Sequence, residues 1–386
     1  MKRGILSFIW LLAFIFIFFG CSSSEDHFKD GNRNFHKGDY DQAAKDYSMA
    51  IQINPNRTEY YINYGMTLIA LGNYKEAITQ LEEAYQEKDM KRINENNKKI
   101  YRAKGIAYYQ MKQYRQSVEQ LDLALVQKVL TGLDKDILYY KADALMKLGS
   151  YDDAIAIFTS MLSKNGKDEV ALAQRAYAFY RQGEYTKSAE DFDKVISIQP
   201  DNYEYYIGKY YLLRDQGLDS EASLVLSQAA AIEAKSDLDR FSWAKIHYLQ
   251  GEYDKALDEM NDCYTKGFSE AYYYIGEINR EKKDYPAANF YYEKYMEKGK
   301  DLNPAVYNQY GACLMKLGEY EKAVKSFELG IKCQDVTMNR ILLKNNLVGY
   351  EYLGDYKKAK ELLEQYVNAY PEDMDARREI EFVNTR

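Results

Sequence analysis

A chain of 386 residues with 46% hydrophobic and 29% charged side chains is built to fold, and that balance excludes both a disordered polymer and a polytopic membrane protein. The net charge is −7, or −9 without Lys2 and Arg3, which argues against nucleic acid as a partner. Three histidines (His27, His36, His247) and four cysteines are too few to favour a zinc site or a histidine-based dyad, so no metal or cofactor is expected, while 40 tyrosines exceed what an ordinary core requires.

Met1-Lys2-Arg3 is followed by an uncharged run of 17 residues, Gly4 to Gly20, and then by Cys21 and Ser22, Ser23 and Ser24. A short positive start, an apolar stretch and a small residue before the junction make an export signal. The Gly20-Cys21 junction resembles the lipobox of bacterial lipoproteins. That resemblance implies a signal peptide over residues 1–20, a lipid-modified Cys21 and a tether over 21–23. Phe18 and Phe19 depart from the lipobox, which usually carries Leu and a small residue there. As an uncleaved anchor, the same run lies at the short limit for a bilayer core of about 30 Å. Both readings place the protein on the extracytoplasmic side of a bacterial membrane, at the outer face of the cytoplasmic membrane or at the outer membrane. Cys263, Cys313 and Cys333 form no CxxC pair and are expected as inward-facing free thiols.

Beyond the signal a short motif recurs. Gly38-Asp39-Tyr40 returns as Gly72-Asn73-Tyr74, Gly149-Ser150-Tyr151, Gly183-Glu184-Tyr185, Gly251-Glu252-Tyr253, Gly318-Glu319-Tyr320 and Gly354-Asp355-Tyr356, with looser copies at Lys112-Gln113-Tyr114, Gly217-Leu218-Asp219 and Lys283-Asp284-Tyr285. The ten copies step by 32 to 40 residues, mostly near 34. Before each turn a helical stretch carries a small residue: Gly31, Gly65, Gly105, Ala142, Ala176, Ala244, Gly276 and Gly311, with Tyr210 and Leu347 departing. After each turn a small residue (Ala43, Ala77, Ser117, Ala154, Ser188, Ala222, Ala256, Ala288, Ala323, Ala359) precedes a large one by four positions (Tyr47, Leu81, Leu121, Phe158, Phe192, Leu226, Met260, Tyr292, Phe327, Leu363). Small set against large is what lets two helices cross closely.

On these residues the chain resembles tetratricopeptide-repeat proteins over 24–371. The resemblance implies an all-α fold, a right-handed α-solenoid of about ten helix-turn-helix repeats spanning roughly 24–57, 58–91, 98–131, 135–168, 169–202, 203–236, 237–268, 269–302, 304–337 and 340–373. Residues 372–386 are expected to form a capping helix that covers the last repeat with Ala376, Ile380 and Val383. The polar run Glu87 to Asn97 is either an extended helix or a rim loop, and the loop is the reading adopted.

In such a solenoid the first helix of each repeat lines a concave groove, and function is binding. Helical periodicity points Asn32, Asn63, Lys99, Arg102, Tyr109, Tyr139, Asp143, Tyr177, Tyr180, Arg181, Tyr211, Arg214, Tyr248 and Tyr273 into that groove. The tyrosines suit peptide contact, and the arginines suit acidic groups. Repeat chemistry explains part of the tyrosine excess, because nine tyrosines occupy the turn slot. A carboxylate clamp known in one subclass is matched by Asn32, Asn63 and Lys99, but Phe28 and Ala103 stand where it needs Lys and Arg. The expected function is a membrane-tethered, non-catalytic scaffold that binds proteins or peptides and organises an envelope complex. The alternative is a lipoprotein binding glycans or cell-wall fragments, with tyrosines stacked on sugars and Asp143, Glu277 or Arg181 bonding hydroxyls. GxxxxGK[ST], GxSxG, HExxH and a strand-to-helix GxGxxG do not occur, so no enzyme is expected.

Overall fold

The computed structural model describes residues 23–299, 302–333, 335, 337–374 and 376; the expected signal peptide, Cys21 and the capping residues Ile380 and Val383 lie outside the described residues. Among the described residues there are 20 α-helices, one short 3-10 turn and no strand. None of these helices is long and apolar enough to cross a membrane. The chain divides into two compact units at Leu145.

The first unit holds α1 (Ser24–His36), α2 (Tyr40–Ile53), α3 (Thr58–Ala70), α4 (Tyr74–Glu83), α5 (Lys91–Gln110), α6 (Tyr114–Val126) and nearly all of α7 (Asp134–Lys147). The second holds α8 (Tyr151–Lys164), α9 (Glu169–Gln182), α10 (Tyr185–Ile198), α11 (Tyr203–Asp215), α12 (Asp219–Ala230), α13 (Asp237–Leu249), α14 (Tyr253–Thr265), α15 (Ala271–Glu281), α16 (Tyr285–Met296), α17 (Ala305–Leu317), α18 (Tyr320–Lys332), α19 (Asn339–Tyr352) and α20 (Tyr356–Ala369). Within each unit consecutive helices pack as hairpins, α1 on α2 and α5 on α6 in the first, α9 on α10 and α17 on α18 in the second.

The turns explain why the hairpins form. All ten turn positions have positive φ, the eight glycines between 72° and 83° and Lys112 and Lys283 at 60° and 63°. This left-handed residue follows each first helix, and in nine of the ten turns the residue after it donates its N–H to a carbonyl five positions back, as from Asn73 to Leu68 (2.8 Å) and from Gln113 to Tyr108 (2.9 Å). The second helix then begins at the turn tyrosine, except α12, which begins at Asp219.

Packing follows the small and large positions. Every small residue after a turn is fully buried, and every large residue four positions on is at most 1% exposed. Burying each large side chain contributes roughly 1.5–3 kcal/mol. A Cβ on Gly31 would stand 2.7 Å from the Tyr47 ring, and one on Gly311 2.4 Å from Phe327, so the glycines let the rings lie against the first-helix backbone. Where serine replaces alanine its hydroxyl is satisfied: Ser117 donates to the Gly105 carbonyl and Ser188 to that of Ala176, each at 2.8 Å.

Two expectations are corrected. The run from Glu87 to Asn97 is mostly helix, because α5 starts at Lys91 and continues without Gly or Pro to break it until Gly105, within its last turns. Asn97 donates to the Gln86 carbonyl (2.8 Å) and Arg92 pairs with Glu59 (2.9 Å), which ties the extension to the preceding repeat. Cys263 and Cys313 are buried free thiols, whereas Cys333 caps the end of α18 and is only partly buried.

Candidate functional site

The candidate groove residues divide by unit, and each unit treats them differently. In the first, five of the seven form side-chain hydrogen bonds between neighbouring repeats. Asn32 accepts hydrogen bonds at 2.8 Å from both Asn63 Nδ2 and the Tyr47 hydroxyl. The two asparagines matched to a carboxylate clamp are thus engaged with each other. Arg102 Nε donates to Asp136 at 2.5 Å, and the Tyr109 hydroxyl donates to the Asp143 carboxylate. Loss of solvent and that carboxylate hold the Tyr109 phenol well above its ordinary pKa. Lys99 is exposed on α5, and the Lys135 ammonium lies 5.7 Å over the half-buried Tyr139 ring.

Lys98, which periodicity did not single out, is the buried cation among the described residues of this unit. Its ammonium donates to the Gln127 and Val129 carbonyls (3.1 and 2.7 Å) and to Asp134 (2.5 Å), and its side chain is 1% exposed. It gathers the end of α6, the connecting turn and the start of α7. A lysine among polar residues reads from sequence as a solvated one, and no signal in the sequence separates it from Lys99.

In the second unit tyrosines from α9, α11, α13 and α15 converge. Tyr177 reaches across to the Glu204 carbonyl (3.4 Å), and Gly208 makes room, since a Cβ there would lie 2.5 Å from the phenol oxygen. Tyr248 stacks edge-on against Tyr274 (5.8 Å), which in turn meets Tyr273 (5.4 Å). The anchor is Glu277, 4% exposed: it accepts from Tyr292 (2.5 Å), Arg280 (3.0 Å), Tyr248 and Gln309 (both 3.4 Å). Burial opposes the charge of Arg280, but Glu277 outweighs it and holds the guanidinium above its ordinary pKa. Lys245 binds the Glu204 carboxylate.

Four of the candidate tyrosines therefore share one neighbourhood, but in different states. Tyr273 is 8% exposed and packs on Tyr292 and Tyr295, so it belongs to the core and not to an open groove wall. Tyr177 and Tyr248 are half-buried. Tyr211 is 43% exposed, yet loss of solvent, with Tyr210 and Glu277 nearby, pushes its phenol up to about 12. Tyr180 donates to Asp215, with exposed Arg181 stacked over its ring at 5.5 Å. Arg214 turns to the rim, where it donates to the Tyr210 hydroxyl at 2.7 Å. Glu277 and Asp143, the acids suited to sugar hydroxyls, are engaged by protein donors.

Comparison with known proteins bears on the fold. The tetratricopeptide-repeat signature matches residues 35–91, 102–169, 170–202, 304–333 and 349–373, together more than half of the chain. Among curated proteins, the mitochondrial import receptor subunit TOM70 of Homo sapiens is 23% identical over 229 residues, 59% of this chain and 32% of that protein. The TPR repeat-containing protein MJ1428 of Methanocaldococcus jannaschii is 37% identical over 78 residues, 18% of this chain and 14% of that protein. The chain thus spans a third or less of the length of these relatives. A tetratricopeptide repeat protein from Parabacteroides merdae has a similar crystal structure, with a TM-score of 0.51 at 18% identity, covering 67% of this chain and 97% of that one.

Proposed function

The chain belongs to the tetratricopeptide-repeat family, and from that premise we propose that it is a membrane-tethered, non-catalytic scaffold that binds protein or peptide segments at the extracytoplasmic face of a bacterial membrane and helps organise an envelope complex. The observation that carries the binding reading is Tyr211, an open ring 43% exposed beside the half-buried Tyr177 and Tyr248. Such a surface offers a flat apolar face with polar edges, the combination found at binding hot spots. The similarity to a protein named as an import receptor subunit points the same way. The tether rests on the apolar run Gly4 to Gly20 and the Gly20-Cys21 junction.

A photo-crosslinking residue placed at Tyr211, with another at exposed Glu190 on α10 as control, tests the groove. Crosslinks to the same proteins from Tyr211 and none from Glu190 are expected; equal yields, or none at Tyr211, would dismiss the groove. Incorporation of a labelled fatty acid, abolished by Cys21→Ala, tests the tether separately.

A further inference from the structure

The sixth repeat breaks the pattern at its turn, and a cleft opens there. In four repeats an aromatic residue in the last turn of the first helix packs against the turn residue five positions later: Phe35 on Tyr40 (5.2 Å), Tyr109 on Tyr114 (5.5 Å), Tyr180 on Tyr185 (6.4 Å) and Tyr248 on Tyr253 (6.1 Å). In the sixth repeat these two positions are Arg214 and Asp219, whose charged groups stand 3.9 Å apart. The small position of this first helix is also broken, by Tyr210, which is 3% exposed and sends its hydroxyl to the Leu249 carbonyl (3.4 Å). Two large rings are missing at one edge of the hairpin and a third is inserted beneath it. Between them lies a cleft of about 470 Å³ bordered by Tyr210, Arg214, Asp219, Ser223, Gln250 and Glu252.

Its lining has a definite chemistry. The Arg214 guanidinium donates to the Tyr210 hydroxyl at 2.7 Å and its side chain is 55% exposed, so most of its five N–H donors are open to a ligand. Asp219 is a loose counter-ion, beyond hydrogen-bond distance and 81% exposed, so it stays available as an acceptor. Glu252, which shares its charge with Lys255 at 3.3 Å, supplies a second carboxylate. The Ser223 hydroxyl donates to the Asp219 carbonyl (2.8 Å), so its oxygen can only accept from a ligand, while the Gln250 amide can donate and accept. A simple anion would meet two carboxylates, and a simple cation would meet the arginine. A small molecule or chain end with both charges meets a partner for each.

We propose that this cleft is a binding site for a small zwitterion, a free α-amino acid or a short peptide, with its carboxylate on Arg214 and its ammonium between Asp219 and Glu252. The site lies at the turn edge of one hairpin; its wall residue Tyr210 meets the Tyr211 ring edge-on at 5.3 Å, but the proposed contacts use Arg214, Asp219 and Glu252 and not Tyr211.

The test is calorimetric titration of the full chain with L-alanine and alanyl-alanine, against acetate, methylammonium and glucose as probes with one charge or none. Binding of alanine or the dipeptide, with acetate and methylammonium at least about tenfold weaker, is expected, because each lacks one charged hydrogen-bonding end. Arg214→Gln and Asp219→Asn should each weaken the zwitterion by about tenfold or more. The double substitution Arg214→Tyr with Asp219→Tyr restores the ring pair, fills the cleft and should abolish binding while the melting temperature holds. Acetate binding as well as the dipeptide, no heat with either zwitterion, or binding that survives the filled cleft would each overturn the proposal.

Discussion

In the first unit the side chains aligned along the first helices are tied in polar pairs, Asn63 to Asn32, Arg102 to Asp136 and Tyr109 to Asp143, over a buried ammonium at Lys98. In the second, the matching surface of α9 to α15 carries tyrosine rings packed on one another, Tyr248 on Tyr274 and Tyr274 on Tyr273, with Tyr248 also donating to the carboxylate of Glu277. One repeat pattern therefore supports two ways of joining neighbouring hairpins. Polar pairs fix spacing through short, directional bonds, whereas rings bury area and tolerate small shifts. A residue facing the groove is not on that account free for a ligand.

The sharpest break in this comparison lies inside the second unit. Tyr273→Ala should cost about 3–5 kcal/mol in chemical denaturation, as for other buried aromatics, while Tyr211→Ala, with 43% of the residue already in solvent, should cost about 1 kcal/mol or less. Equal losses would mean that both rings are core, and the groove in the second unit would have no open tyrosine among these two.

In the first unit the corresponding test is Lys98→Met. Removing the ammonium leaves the Gln127 and Val129 carbonyls without their donor and Asp134 without its counter-ion. Asp134 is 36% exposed and regains water, so the expected loss is about 3 kcal/mol, toward the lower end for a broken buried pair. Lys99→Met, one residue on and exposed, should change stability by no more than about 0.5 kcal/mol. A small loss at Lys98 would show that the first unit does not depend on its buried cation.

These contrasts also show where the sequence is legible. The turn, small and large positions could be read because they answer to one neighbour at a fixed spacing: each turn residue has positive φ, and each large residue is buried. The states of Tyr211 and Tyr273 could not be read, because both lie on groove-facing positions. Tyr211 shares its electrostatic surroundings with Tyr273 and Tyr274, two repeats further along the chain. Periodicity assigns a face to a side chain but not the neighbours that curvature brings to it. The same reason explains Arg214: its position pointed to the groove, and its partner Tyr210, one turn back, drew it to the rim.

Alkali offers a comparison between the units without any substitution. Burial raises the phenols of Tyr177, Tyr211, Tyr248, Tyr273 and Tyr274 in the second unit, with Tyr211 at about 12 against an ordinary 10.0. A raised acid pKa means that the folded state holds its protons longer than the unfolded state. Their contribution is whole below pH 10 and is lost as pH rises from there toward and past 12. Burial also raises Tyr47, to about 12, and Tyr64 in α2 and α3, but more raised phenols gather in α9 to α15, so amide exchange across that range should show α9 to α15 losing protection before α1 to α4, with tyrosinate absorbance rising in step. Simultaneous loss in both would mean that ring packing does not set the alkaline limit of the second unit.

The smallest effect concerns a feature that both units share. Lys112 in the first and Lys283 in the second hold φ at 60° and 63°, where eight other turns have glycine. A residue with a side chain costs about 1–2 kcal/mol in this region, while glycine costs about 0.4–1 kcal/mol through the freedom of the unfolded chain. Lys112→Gly and Lys283→Gly should therefore each stabilise by about 0.5–1 kcal/mol, read as a higher denaturation midpoint with an unchanged slope. Each lysine leaves the hydrogen bond across its turn intact, from Gln113 to Tyr108 and from Asp284 to Asn279, both at 2.9 Å. The substitution thus changes backbone preference alone. A midpoint that fell in either variant would mean that the lysine at that turn holds the repeat through its side chain.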